Sequence, residues 1–248
     1  MIYIFDIDGT LTYPQKSLSS DIEKFLLKLN KDNPVFFVTG SDYSLAKSKS
    51  QITPLIEKNI NGIFACQGCE LWQNGILVSK RDYEFPNTLI KKLSEYVTSS
   101  YYQNKTGSHI NMRTGMINFS VVGRNASLSE RKDYNSWDHL NNERKMIVND
   151  LSNLYPYLNC AIGGEISIDI APNGFDKSQI IAIINEILGY EDIMVFFGDK
   201  IYPGGNDYPL GKALIDNNKK NMVYNVNNPK QTLDILKLTI NKFQYNEL

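Results

Sequence analysis

An apolar run that ends on two aspartates constrains this chain more than anything else in it. Met1-Ile2-Tyr3-Ile4-Phe5-Asp6-Ile7-Asp8-Gly9-Thr10 reads as a buried strand running into Asp-x-Asp-Gly-Thr. Two carboxylates then stand where the strand ends, with a tight turn behind them. The rest of the chain can be tested against that placement.

The pattern after residue 10 alternates. Leu18, Ile22, Phe25, Leu26 and Leu29 recur at helical spacing, with Ser19 or Ser20 as N-cap. Val35–Val38 is a second short apolar run, ending in Thr39-Gly40-Ser41-Asp42, and Ile63–Cys66 is a third. Strands alternating with helices predict a parallel α/β sheet. The texture changes after residue 81. Residues 86–101 and 127–154 read as helical, and Met116–Val122 and Ile166–Ile170 as strands. In the second strand apolar Ile166, Ile168 and Ile170 alternate with Ser167 and Asp169, as in a half-exposed antiparallel sheet. The α/β texture resumes at Asp176, where Asp176 and Gln179 resemble a capping box ahead of an apolar stripe from Ile180 to Leu188. Ile193–Phe197 is a buried strand ending in Gly198-Asp199, residues 216–230 read as loop, and 229–242 as a last helix. The expected architecture is an α/β core of residues 1–81 and 174–248 with a parallel sheet. An α+β domain of residues 82–173, with an antiparallel sheet, is inserted in it.

Composition narrows the function classes. A formal net charge of −1 gives no global field for nucleic acid or an anionic membrane. No run of eighteen apolar residues predicts a membrane span, and the start has no basic segment or cleavage site, so a cytoplasmic protein is expected. Cys66, Cys69 and Cys160 do not make a disulfide framework, and Cys66-Gln67-Gly68-Cys69 lacks two further ligands for zinc, so reduced thiols are expected.

Three apolar runs end in residues suited to phosphate chemistry: Asp6, then Thr39 or Ser41, then Asp199. In open α/β sheets such ends converge on one site. Phosphoryl transfer needs a nucleophile, a cation to spread the phosphate charge, and an acid for the leaving oxygen. Asp6 suits the nucleophile, and Asp8, where the chain leaves the strand, the general acid and then base. Asp6, the Asp8 backbone carbonyl and Asp199 form an oxygen-only set suited to Mg²⁺. Ser41 and the N–H groups near Thr39 and Gly40 can hold phosphate oxygens, Lys177 can neutralise both phosphate and Asp6, and Asn206 and Asp207 can orient the site.

This set resembles the haloacid dehalogenase superfamily of phosphotransferases, with its Rossmann-like core and mobile cap. The resemblance extends to one family within it, the α-phosphomannomutases of the eukaryotic type. It is carried by Phe5–Thr12, Thr39–Asp42, Arg113-Thr114-Gly115-Met116-Ile117-Asn118, Val122-Gly123-Arg124, Gly163–Asp169, Asn173–Lys177, Phe196–Lys200 and Gly204–Asp207. The resemblance implies exchange of mannose 6-phosphate and mannose 1-phosphate through a hexose 1,6-bisphosphate, which also serves as activator, in supply of GDP-mannose. It implies that Asp6 is phosphorylated and that Asp8 is acid and base. Positions matching Arg113, Arg124 and Arg131 would hold the phosphate not being transferred, and those matching Asn118, Ser167 and Asp169 would line the sugar site. It also implies a homodimer through the caps, with which the aromatics Tyr101, Tyr102 and Trp137 are compatible. A mutase holds two similar phosphates at once, and arginine forks are the best clamp for the second.

The chain departs from that pattern in places. Gln15 stands where the family carries a substrate-contacting arginine, with Lys16 beside it; Thr39 stands where glycine is common. Ala213 replaces an aspartate of a second cation loop, and Phe175 replaces a tryptophan. A sugar-phosphate phosphatase on the same fold is the competing expectation, since the aspartates serve either reaction and Gln15 and Thr39 leave room for it.

Overall fold

In a computed structural model, described for residues 1–14 and 16–245, the chain divides into two compact units. The first is Met1–Lys80, Asp176–Pro203 and Asp207–Leu248; the second is Arg81–Phe175 with Gly204–Asn206.

The first unit opens with strand β1 (Ile2–Asp6) and helix α1 (Ser20–Leu29), then β2 (Val35–Val38), α2 (Tyr43–Ser48), α3 (Pro54–Asn59) and β3 (Gly62–Ala65). Every residue of β1, β2 and β3 is buried, as expected of parallel strands covered on both faces. Helix α1 starts where Ser19 accepts the Ile22 N–H and turns Ile22, Leu26 and Leu29 inward. An antiparallel hairpin follows, β4 (Glu70–Gln73) and β5 (Ile76–Lys80), which the sequence pattern did not signal. Strand β5 is exposed along its whole length, so its apolar residues carry no alternation to read.

The second unit contains α4 (Asn87–Ser99), β6 (Ile110–Arg113), β7 (Met116–Phe119), α5 (Leu128–Asn141), α6 (Glu143–Leu154), β8 (Leu158–Gly163) and β9 (Ser167–Pro172). Its antiparallel sheet runs β6-β7-β9-β8. The stretch 127–154 is two helices, because Asn142 takes a left-handed φ of 56° between them. There Arg144 Nε meets Asp138 Oδ2 at 2.7 Å in a buried ion pair. The expected half-exposed strand is corrected: all of β9 is buried, Ser167 and Asp169 included. This unit has its own core, with Leu89, Leu93, Ile117, Phe119, Tyr134, Ile147, Leu151, Ile168 and Ile170 packed together. Its two ends meet, since an Arg81 guanidinium nitrogen donates to the Gly174 carbonyl at 3.1 Å and the same group lies 3.7 Å from the centre of the Phe175 ring.

The chain re-enters the first unit through α7 (Ile180–Leu188), β10 (Met194–Gly198), α8 (Tyr208–Asn217), β11 (Met222–Asn225) and α9 (Pro229–Tyr245). The seven-stranded sheet runs β11-β10-β1-β2-β3-β4-β5, parallel from β11 to β3 and antiparallel beyond. Two expectations fail here. The capping box at Asp176 does not form: Asp176 accepts the Ser178 N–H, while the Gln179 amide reaches the Gln67 carbonyl. Residues 216–230 are not all loop, because β11 closes the sheet edge despite an Asn-rich neighbourhood.

Candidate active site

Strand β1 is the switch point of the sheet: β2 and β3 follow on one side, β10 and β11 on the other. The crevice outside the carboxyl end of such a strand is where ligands bind. Register brings the right residues to that edge. Asp6 pairs with Val38, one residue before Thr39, and Phe5 pairs with Phe197, two residues before Asp199.

Lys177 sits in the 3₁₀ turn Lys177–Gln179 and is fully buried. Its Nζ donates to Asp6 Oδ1 at 2.6 Å and to Asp207 Oδ1 at 2.7 Å. The other Asp207 oxygen accepts the N–H groups of Asp199 at 3.1 Å and Lys200 at 3.0 Å, so Asp207 ties the lysine to the backbone that carries Asp199. Asp6 Oδ2 is buried with no hydrogen-bond partner. Burial pushes the Asp6 pKa up to about 8, with Lys177 pulling against it and Asp207 and Asp199 adding to it. Burial likewise pushes Asp199 up to about 6. Burial would lower Lys177, but Asp207 and Asp6 hold it above the usual lysine range.

Carboxylate oxygens of Asp6, Asp199 and Asp207 all lie within 4.8 Å of one another. Both Asp207 oxygens are committed, which leaves Asp6 and Asp199 as donors. The ammonium groups facing the cluster are Lys177 and, 3.9 Å from Asp199, Lys200. An orphaned buried oxygen in an all-oxygen carboxylate cluster fits a hard divalent cation. The turn is shaped for close approach: Gly9 has φ +91°, and a Cβ there would lie 2.4 Å from Asp199 Oδ2.

Asp8 lies two residues beyond the end of β1. Its Oδ1 accepts Gln51 Nε2 at 2.7 Å, and the same nitrogen reaches Thr12 Oγ1 at 3.0 Å. Gln51 went unnoticed in the sequence, because nothing in Lys47-Ser48-Lys49-Ser50-Gln51 marks it. Beside the site, Thr39 Oγ1 accepts the Ser41 N–H at 3.1 Å and the Thr39 N–H donates to Phe64 O at 2.8 Å. Two of the N–H groups expected to face phosphate are thus already engaged; Gly40 lies between them. Gln15 falls outside the described residues, and Lys16 is exposed. Asn206 Oδ1 is buried with no hydrogen-bond partner.

In the second unit, neighbouring strands gather the remaining predicted residues. Asn118 and Asp169 are register partners, and Asn118 Nδ2 donates to Asp169 Oδ1 at 2.5 Å. Arg124 donates to Ser167 Oγ at 3.0 Å. Arg131 is spent on backbone carbonyls, those of Ala126 at 2.9 Å and Arg124 at 3.1 Å, so it braces the Arg124 loop. Arg113 ends β6, half-buried, at the Thr114-Gly115 turn. Of the aromatics, Tyr101 is 88% exposed, whereas Tyr102 is buried against Tyr134 and Trp137 is half-buried.

The fold is of the haloacid-dehalogenase-like kind. It superposes on the C-terminal domain of C. albicans trehalose-6-phosphate phosphatase with a TM-score of 0.68 at 19% identity, covering 96% of this chain and 90% of that one. A haloacid dehalogenase-like hydrolase from Bacteroides thetaiotaomicron gives 0.54 at 14% identity, covering 86% and 85%. Within that class the family model for eukaryotic phosphomannomutase matches residues 22–242. A phosphomannomutase of Dendrobium officinale is 33% identical over 246 residues, covering 96% of this chain and 93% of the relative. One of Spinacia oleracea is 32% identical over 245 residues, covering 94% and 93%. The chain belongs to the eukaryotic phosphomannomutase family. The matched region begins after the Asp-x-Asp turn and contains Lys177, Asp199 and Asp207.

Proposed function

We propose that the chain is a phosphomannomutase, an isomerase that interconverts mannose 6-phosphate and mannose 1-phosphate through an aspartyl phosphate on Asp6 and a hexose 1,6-bisphosphate intermediate. The observation that carries the chemistry is the buried Lys177 ammonium gripping one Asp6 oxygen while the other stays unpartnered. Lys177 fixes the carboxylate, and the free oxygen attacks phosphorus as the bond to the sugar oxygen breaks. Asp8 gives its proton to that leaving oxygen, then takes one from the other sugar hydroxyl as that hydroxyl attacks the aspartyl phosphate and frees Asp6. Asp6, the Asp8 carbonyl and Asp199 would hold Mg²⁺, which supplies positive charge for the phosphate oxygens. In the second unit, read as the cap, Arg113 and Arg124 serve the phosphate not being transferred, and Asn118, Ser167 and Asp169 meet sugar hydroxyls. Arg131 acts through the loop it braces.

The reading extends to a hexose 1,6-bisphosphate activator, supply of GDP-mannose, a homodimer through the second unit and a cytoplasmic setting. Exposed Tyr101 supports the dimer, and three cysteines that form no disulfide suit a reducing compartment. Among the described residues no helix is long and apolar enough to cross a membrane.

One reaction tests the function. Mannose 1-phosphate, Mg²⁺ and a trace of hexose 1,6-bisphosphate are mixed with the protein, and mannose 6-phosphate and inorganic phosphate are followed together. Activator-dependent mannose 6-phosphate with little free phosphate is expected. Phosphate release without isomerised sugar would overturn the mutase in favour of a phosphatase.

A further inference from the structure

Helix α2 ends in a way that breaks two local habits. Ser50 takes a left-handed φ of 54°, a place usually given to glycine. Its N–H donates to Lys47 O at 2.9 Å, and the Gln51 N–H donates to Ala46 O at 3.0 Å. That pair of bonds is a Schellman motif, in which the residue at the Gln51 position commonly makes an apolar contact. Here it is a fully buried glutamine. The Ser50 carbonyl is anchored in turn by the Leu18 N–H at 3.0 Å. The motif therefore fixes where the Gln51 side chain starts, and the amide ends on Asp8 Oδ1 and Thr12 Oγ1. Thr12 is held independently, its hydroxyl 3.4 Å from Ile7 O and its N–H 3.0 Å from the same carbonyl. Gln51 Oε1 is buried with no hydrogen-bond partner, a state that costs stability. Local rules broken at a cost and aimed at one carboxylate mark a functional position.

We propose that Gln51 is the positioning residue of Asp8, setting the carboxyl group's orientation for proton delivery to the sugar oxygen. The inference rests on the reading of Asp8 as acid and base. An amide suits this task because it offers a donor and an acceptor from one neutral group. Turned one way its NH₂ meets the Asp8 carboxylate; turned over, its vacant Oε1 can accept from the carboxylic acid. The same side chain can thus hold Asp8 in both halves of the cycle, whereas a charged residue would fit only one.

The test separates proton delivery from nucleophilic attack. Gln51→Met removes the hydrogen bonds at similar length, and Gln51→Asn keeps the amide but withdraws it by a methylene. With mannose 1-phosphate, Mg²⁺ and trace bisphosphate, both variants should lose roughly 10–100-fold in kcat with KM within about twofold. Phosphorylation of Asp6 by acetyl phosphate is the control. There the Asp6–phosphorus bond forms as the phosphorus–oxygen bond breaks, and the electron pair leaves with acetate, which needs no proton. That rate should stay within roughly threefold of the unsubstituted protein, since no acid takes part. If Gln51→Met fails to fold, Gln51→Asn decides. Unchanged kcat, or equal loss of both reactions in a folded variant, overturns the proposal. Failure of the unsubstituted protein to be phosphorylated by acetyl phosphate would instead strike at the reading of Asp6, a distinct outcome.

Discussion

A lysine with no solvent exposure is tolerable only because two carboxylates meet it. Removing Lys177 strands Asp6 and Asp207 in the interior, so Lys177→Met should cost about 3–5 kcal/mol in urea unfolding without added cation. Loss below about 1 kcal/mol would mean the pair is not desolvated as the geometry has it. Gly9→Ala carries a different penalty. It forces a Cβ against Asp199 and a left-handed φ on alanine, so kcat should fall roughly a hundredfold through displacement of Asp199. The strain itself is only about 1–2 kcal/mol, so circular dichroism should still report a folded protein. At this scale Asp6, Asp8, Lys177, Asp199 and Asp207 were legible because strand ends and their turn residues share an edge in a parallel sheet. Gln51 was not, because its role comes from a helix end that points a polar side chain across the chain.

Elements were legible where an apolar stripe or an unbroken apolar run marks them, and less so where polarity and burial part company. The stripe of α7 is plain in Ile180 to Leu188, and β10 in its unbroken apolar run. Strand β9 misled because its alternating Ser167 and Asp169 face a buried polar layer, met by Arg124 and Asn118, instead of water. Strand β11 hid because three half-exposed residues and one exposed residue at a sheet edge need only backbone pairing. Helix α5 offers a pH test. Its capping box lowers the Glu130 pKa through the Ser127 N–H, then through the hydroxyls of Ser127 and Thr106. A folded-state pKa below the unfolded one gives stability that is present above the ordinary glutamate value, about 4.3, and lost as pH falls. The Tm difference between the protein and Glu130→Gln should therefore narrow as pH drops from about 6 to about 3. A gap that stays constant would show that the charge contributes nothing.

At the scale of the whole molecule, the second unit has what independent folding requires: a closed sheet-and-helix core and ends that lie together. Residues 81–175 expressed alone should unfold in one cooperative thermal transition, and the Arg81→Ala version should melt earlier. A fragment without a cooperative transition would show that it depends on the first unit. The change of texture near residue 81 falls close to where the second unit begins, at Arg81, and strand and helix patterns on the two sides differ in period and polarity. Sheet order was less legible, because hairpin β4–β5 extends the parallel sheet without any sign in its composition.

The meeting of Arg81 with Gly174 and Phe175 also bears on how much this architecture can vary. Chain entropy rises with the length of a loop that must close. Here the closing happens inside the insertion, between its own first and last residues. The parallel sheet therefore behaves as though a short hairpin joined β5 to α7, whatever length of polypeptide lies beyond the clasp. Growth or trimming of the inserted loops becomes thermodynamically silent to the first unit, so the second unit can be remodelled while the sheet that carries Asp6 is left undisturbed.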